Sequence, residues 1–445
     1  MKPKLFLFEL LILTLLFFYC AKPQQRVLAE VAGRKITAAE IYDKLPKAFS
    51  SDTVAEKYVR NLLEQLIVKR LFIKAATDLG LEKELAPAIE EDKKRMLISE
   101  LYEEVVTKGA QLSSEEKKLA KKIADTEVRV KVFKVPDLKL AQELYTQYKN
   151  NSLPETLISR YQEYLSSQYL SDDFIPLGYI EAPLRNKILE LKDQTLSEPI
   201  SDENGYKLVY LLEKRKVKSI NRNQLKRIYQ ILEHEKQQRI VKDYMKKLSA
   251  RVEYNPRGLS VFYKDAELIT SDEETIWVCK KDQRKIVYVK SFLPLANRFP
   301  KMLDTVMREY AIKRTIEEDL LYEDALTRGL DHRPEFLAKL KARIDDLLYE
   351  KFYLEEINQR VEITPQEIEK YYKTHPQEFP NLTLKDASGQ IHYKLFTPKR
   401  EARYQIVVDS LKKAIKVNIN TKELEKTISE VIKNKIPKLN DNPQG

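Results

Sequence analysis

Two of the nine glycines in this 445-residue chain stand twenty-seven positions apart, and each precedes a tyrosine: Gly178-Tyr179 and Gly205-Tyr206. Between them lie a short helical pattern (Ile188, Leu189, Leu191) and the run Ser197-Glu198-Pro199-Ile200; an apolar strand follows over 206–212. Glycine before a strand suits a turn with positive φ, and proline suits an extended entry into pairing. Residue types that do covalent or metal chemistry are dispersed elsewhere. The four histidines, His234, His332, His375 and His392, all lie outside the segment. Cys279 sits alone in a strand-like run and reads as core filling. No zinc-ligand spacing and no glycine-rich phosphate loop occur, so neither a cofactor nor ATP-driven action is expected.

The order of turn, helix, Leu196-x-Ser197-x-Pro199-Ile200 and Gly205-Tyr206-x-Leu208-Val209 resembles the C-terminal half of the parvulin-type peptidyl-prolyl isomerase domain. The resemblance implies a pocket built from Phe133, Tyr179, Leu189, Tyr206 and Lys207. It also exposes two departures. The opening strand, 128–135, carries no histidine where the family has one, and Lys207 stands where the family places its second. A lysine only donates and carries a charge that is costly to bury, so it cannot mimic an imidazole bonded across a pocket floor. Rotating a prolyl bond requires only a pocket that holds the twisted bond better than the planar one. No residue is therefore assigned a catalytic role, and the isomerase activity is expected to be low or absent.

The elements around this segment repeat at a spacing of about 250 residues. Gly33-Arg34-Lys35-Ile36-Thr37 follows a short strand at 27–31, and Gln283-Arg284-Lys285-Ile286-Val287 follows one at 276–279. Each leads to a helix of apolar spacing, through Leu62, Leu66, Ile67 and Leu71 in the first copy and Ile312, Ile316, Leu320 and Leu321 in the second. Ala75-Ala76-Thr77-Asp78-Leu79-Gly80-Leu81 then matches Asp324-Ala325-Leu326-Thr327-Arg328-Gly329-Leu330, with glycine as the helix stop. Proline-led helices (87–106 and 334–357) and capping signals at Ser113 and Thr364 complete each copy.

These helices resemble the N-terminal chaperone domain of SurA/PrsA-type periplasmic folding factors, in which a parvulin domain hangs from a helical base. The resemblance implies that the charged helix 223–248 returns to pack on the N-terminal helices. The second copy has only about 30 residues, 376–404, where the insertion would stand, too few for a parvulin domain. The expected fold is α+β and predominantly helical, with two SurA-N-like helical modules, the first carrying an inserted small parvulin-like α/β domain. Its boundaries are a signal segment at 1–20, module 1 at 27–125 plus 219–256, and a parvulin-like domain at 126–218. Module 2 follows at 257–420 and a tail helix at 421–445.

Charged residues make up 33% of the chain with a surplus of eleven positive charges, yet Lys and Arg interleave with Glu and Asp, as in residues 90–95. That pattern reads as solvated helix faces, and no nucleic-acid partner is expected. At the N-terminus Lys2 and Lys4 precede a mainly apolar run over 5–19, with Glu9 its one charged residue, that ends at Cys20. About 15 residues is a signal-peptide core, short of the ~20 that span a bilayer. It resembles a bacterial lipoprotein signal, which implies lipidation at Cys20 and no intramolecular disulfide. Tyr19 departs from the small residue that pattern wants, so conventional cleavage nearby or an uncleaved anchor stays open. Alanine after the cysteine points to the outer rather than the inner membrane, with the protein facing the periplasm.

The function expected is a membrane-tethered, ATP-independent chaperone of the cell envelope that binds unfolded or proline-containing exported polypeptides. Two alternatives remain: an active peptidyl-prolyl isomerase, and a structural lipoprotein that docks one folded partner. Tyr161, Tyr164 and Tyr169, with Tyr349, Phe352 and Tyr353, are candidate client grips, since tyrosine offers a large amphipathic face at small entropic cost.

Overall fold

A computed structural model describes residues 25–150, 154–169, 173–202, 204–217, 219–282, 285–296 and 305–433. The signal segment, Cys20, Gln283-Arg284 and residues 434–445 lie outside them. The chain opens with β1 (Val27–Val31), β2 (Arg34–Thr37), α1 (Ala38–Tyr42), α2 (Asp52–Asp78) and α3 (Leu81–Tyr102). Then come α4 (Ser114–Ala124), β3 (Thr126–Val135), α5 (Leu138–Lys149), α6 (Pro154–Arg160), β4 (Ile175–Pro176) and α7 (Ala182–Glu190). Next are β5 (Thr195–Leu196), β6 (Ile200–Asp202), β7 (Gly205–Lys216), α8 (Arg222–Ser249) and β8 (Val252–Tyr254). The second copy supplies β9 (Trp277–Lys281), β10 (Lys285–Tyr288), α9 (Thr305–Thr327) and α10 (Pro334–Tyr353). It closes with α11 (Pro365–Thr374), α12 (Leu384–Ala414), β11 (Val417–Ile419) and α13 (Thr421–Ile432). The protein is thus predominantly helical with small antiparallel sheets. No helix among the described residues is long and apolar enough to cross a membrane.

Two compact units form, one from residues up to 94 together with those from 332 onward, the other from 95–331. In the first, β1 and β2 turn through Ala32 (φ +48°) and Gly33 (φ +80°), the double positive-φ geometry of a tight hairpin. Ser51 caps α2 by accepting from the Val54 amide, and Gly80 (φ +74°) stops the chain beyond its end. The buried face of α2 (Val59, Leu63, Ile67, Leu71) packs in one core with Leu348 and Phe352 of α10, Val408 of α12 and Ile428 of α13. Phe72 centres an aromatic cluster, 5.0 Å from the ring of Phe352, 5.7 Å from Tyr349 and 5.8 Å from Tyr404. Such ring pairs add roughly 0.5–1.5 kcal/mol each beyond their buried area. Residues 376–404 comprise a 3₁₀ turn (Pro376–Glu378), a short loop at 379–383 and the first part of α12.

The second unit repeats the hairpin with Asp282 (φ +49°) at its turn, and Gly329 (φ +66°) ends the helical segment after α9. Its helical core joins Leu248 of α8 to Phe262, Val278, Cys279, Ile312, Ile316 and Leu320. The other half of the unit is a sheet in the order β4-β3-β7-β5, with β6 also paired to β7. Strand β3 runs antiparallel to β7 along its full length, from Thr126↔Lys216 to Val135↔Tyr206. Alternation sends Phe133, Val135, Leu208 and Tyr210 to the face covered by α5 and α6. Val128, Val130, Val132, Val209 and Leu211 face α7, with Ile123 of α4 and Ile228 of α8 in the same cluster.

Strand pairing differs from that of two consecutive modules. β8, expected within module 1, pairs with β9 (Val252↔Lys281, Tyr254↔Cys279). β11 pairs with β1 instead (Ala29↔Ile419, Val31↔Val417). Each closing strand is three residues long and is followed by an asparagine that caps the next helix, Asn255 or Asn420. Two such similar strands carry nothing local that chooses between two similar hairpin edges; the packing of the long helices decides. Likewise α8 packs on α4, α9 and the π-helical turn Glu103–Thr107 within the second unit, while α2 is covered by α10, α12 and α13 within the first.

Two further expectations are corrected. Pro87 lies inside α3, which starts directly after Gly80, and does not lead the helix. Tyr161 and Tyr169 are buried, as is Phe352, and Tyr349 and Tyr353 pack against the first unit's core. These rings serve packing, because each sits on the inward face of its element.

Candidate functional site

Lys207 is the second residue after Gly205 on β7, and the alternation that buries Val209 and Leu211 against α7 also turns Lys207 to that face. Gly205 is required there: its φ is +135°, and a Cβ would come within 2.3 Å of the Val135 carbonyl oxygen. The Lys207 side chain is 9% exposed. Its Nζ donates to both carboxylate oxygens of Glu181, at 2.9 and 3.0 Å, and pairs with Asp202 Oδ2 at 2.9 Å. Glu181 occupies the N-cap position of α7, where a negative charge is favoured. Asp202 reaches across the β6–β7 hairpin: Ile200 stands opposite Lys207, so Asp202 is its diagonal neighbour on the same face. Burial opposes the ammonium charge, but the bonds to Asp202 and Glu181 together outweigh it and raise the Lys207 pKa above that of an ordinary lysine. Tyr169 is buried beside them, and desolvation followed by the charge of Glu181 raises its hydroxyl pKa.

The remaining residues of the expected pocket do not converge on Lys207. Phe133 is fully buried on the opposite face of the sheet, and Tyr206 packs against the same cluster. Leu189 borders the α7 core, and Tyr179 is 54% exposed. Glu181 and Asp202 were not identified from sequence, and Tyr169 was named there only as a client grip. The hairpin spacing of Asp202 to Lys207 carried a signal for one of them; the approach of Glu181 depends on where α7 begins.

Two helices close over part of this face. Gly178 lacks a Cβ where one would lie 2.0 Å from Ile228 Cδ1, so the side chain of Ile228 on α8 rests directly on the backbone. Arg185 of α7, 2% exposed, bonds Glu235 of α8 at 3.1 Å and in a second, shorter contact, and also donates to the Ile180 carbonyl at 3.1 Å. Ser197, the serine of the L-x-S-x-P-I run, accepts from the Val209 amide at 3.0 Å and donates to the Glu198 carbonyl, so its part is to hold the strand edge. What remains is an ammonium held between two carboxylates on a strand that faces histidine-free β3.

No protein-family model matches the chain, and no curated protein matches it. Among solved structures it is similar to a SurA-like chaperone of Campylobacter jejuni, at 18% identity over 52% of this chain and 100% of the other, with a TM-score of 0.25. It is also similar to the peptidyl-prolyl isomerase PrsA of Bacillus anthracis (18% identity, 49% and 96% covered, TM-score 0.23). The foldase PrsA of Streptococcus pneumoniae is a third (19% identity, 47% and 86% covered, TM-score 0.21).

Proposed function

We propose that this protein is a membrane-tethered, ATP-independent chaperone of the bacterial cell envelope whose parvulin-like domain has little or no isomerase activity. The observation that carries the reading is the Lys207–Glu181–Asp202 triad, a buried ammonium held by two part-exposed carboxylates at the position where the resemblance calls for an imidazole. Domain order supports it: a β3–α5–α6–α7–β7 unit inserted between helices that recur in a second copy without an equivalent insertion. Its clients would be unfolded exported polypeptides, and acyl chains on Cys20 would hold it to a membrane surface, the outer membrane by the alanine that follows. Each compact unit would be a SurA-N-like module assembled from both copies.

The test sets two assays on one preparation of the full-length protein. Suppression of aggregation of a chemically unfolded outer-membrane protein is expected at near-stoichiometric ratios. Prolyl isomerisation of a proline tetrapeptide is expected to stay close to the uncatalysed rate. Strong isomerisation without suppression would overturn the reading in favour of an enzyme.

A further inference from the structure

The two helix stops of the repeat are equivalent: Gly80 and Gly329 both have positive φ, so Ala75 and Leu79 correspond to Asp324 and Arg328. The chemistry at the two places is opposite. In the second unit Arg328 Nε bonds Asp324 at 2.7 Å and Nη1 reaches Glu104 at 3.3 Å. Tyr244 of α8 donates to the same Asp324, with the guanidinium of Arg328 5.9 Å from its ring. Burial and then the bond to Asp324 push the Tyr244 hydroxyl up to about 12. The ring of Tyr244 lines a small apolar cavity of about 90 Å³ with Leu101, Val105, Val241, Met245 and Leu321.

In the first unit alanine and leucine leave the corresponding place unlatched. A cavity of about 480 Å³ lies there, lined by Leu79, Phe352, Ile406, Val407, Leu411 and Ile415. That volume is within the range of pockets that bury small ligands and side-chain clusters, roughly 300–1,000 Å³. Leu79 is 61% exposed and Ile406 62%, so two large apolar side chains stand open at its edge. The charged groups that line it are matched: Asp78 pairs with Lys74, and Arg403 donates to the Glu356 carbonyl at 2.8 Å and reaches its carboxylate at 3.3 Å. A wall of this kind offers no net charge to a charged occupant and would penalise an ion through desolvation. An uncharged apolar segment is the occupant complementary to it.

Resting on the chaperone reading, we infer that this groove of the first unit is a client site, and that it takes an extended, uncharged, apolar stretch of unfolded polypeptide. The second unit has closed its equivalent with the Tyr244–Asp324–Arg328 latch and takes no client there.

The test uses the full chain with Cys20→Ser and Ile406→Cys, labelled at 406 with an environment-sensitive fluorophore; Cys279 is buried and does not compete. Probes are reduced, carboxymethylated α-lactalbumin, a neutral Leu/Phe-rich peptide and the same peptide with aspartates at its apolar positions. A saturable blue shift with the first two probes is expected, and none with the third. Leu79→Arg should weaken binding at least tenfold, and the milder Leu79→Ser severalfold, both with unchanged circular dichroism because position 79 is exposed. Aggregation suppression that survives Leu79→Arg with a silent label overturns the groove assignment and leaves the chaperone reading standing. A signal that changes with protein concentration alone assigns the groove to a second copy and also overturns it. A parent protein that neither suppresses aggregation nor binds any probe overturns both.

Discussion

Lys207 and Glu181 are joined by a two-pronged contact of 2.9 and 3.0 Å between a strand and the N-cap of a helix. Lys207 is nearly buried and also holds Asp202, while the two carboxylates stay partly open to solvent.

Full-length protein is expected to accelerate prolyl isomerisation of a tetrapeptide by less than about tenfold, equivalent to under ~1.4 kcal/mol of barrier lowering. Lys207→His alone should not restore turnover, since β3 offers no partner imidazole and Glu181 and Asp202 remain beside the new ring. A protease-coupled assay on both proteins checks this, and several hundredfold acceleration by the parent would falsify it.

Alkaline pH should destabilise the protein from about pH 10 upward. The hydroxyls of Tyr42, Tyr244, Tyr254 and Tyr404 are each raised to about 12, in every case chiefly by burial. Above pH 10 the unfolded chain releases these protons first and binds fewer than the native state, so stability falls with rising pH. The contribution is whole below the unfolded value of 10 and lost as pH passes through about 12. Lys207, also raised, acts in the same direction. Urea titrations at pH 8, 10 and 11, with tyrosinate absorbance at 295 nm followed in parallel, should show ionisation coinciding with unfolding.

The two glycines of the parvulin-like segment should differ in cost when replaced. Gly205→Ala places a Cβ on backbone atoms at a positive φ and should lose about 2–4 kcal/mol. Gly178→Ala meets the flexible end of Ile228 and should lose about 1–2 kcal/mol as that side chain shifts. Equal losses in denaturant titrations would contradict the contacts described.

Cysteines at Glu30 and Asn418, directly paired across β1 and β11, should form an intrachain disulfide on oxidation. Cysteines at Glu30 and Glu253 should not, because Glu253 pairs with Lys280. Gel mobility with and without reductant separates the outcomes, and bridging only in the second variant would restore the consecutive-module arrangement.

Replacing Cys20 with serine should move the mature protein from the membrane fraction to the soluble envelope fraction. Mass spectrometry of the parent should find acyl chains on an N-terminal cysteine. An unmodified N-terminus elsewhere would remove lipidation from the proposal.

What the sequence determined by itself is mostly local. Positive φ at Gly80, Gly205 and Gly329, the capping boxes at Ser113 and Thr364, and the burial of Cys279 follow from residue type and a few neighbours. The apolar spacing of α2 and α9 was readable because a helix repeats its face every few residues. Tertiary structure decided which partner each face met. Strands β8 and β11 are short and alike, so their exchange between hairpins depends on helices hundreds of residues away. Strand alternation was also readable, yet the register of β3 on β7 was not, and the pairing of Phe133 with Leu208 put Phe133 and Lys207 on opposite faces. The tyrosines that looked like spare surface proved to be core, because composition counts rings while packing alone tells which way they point.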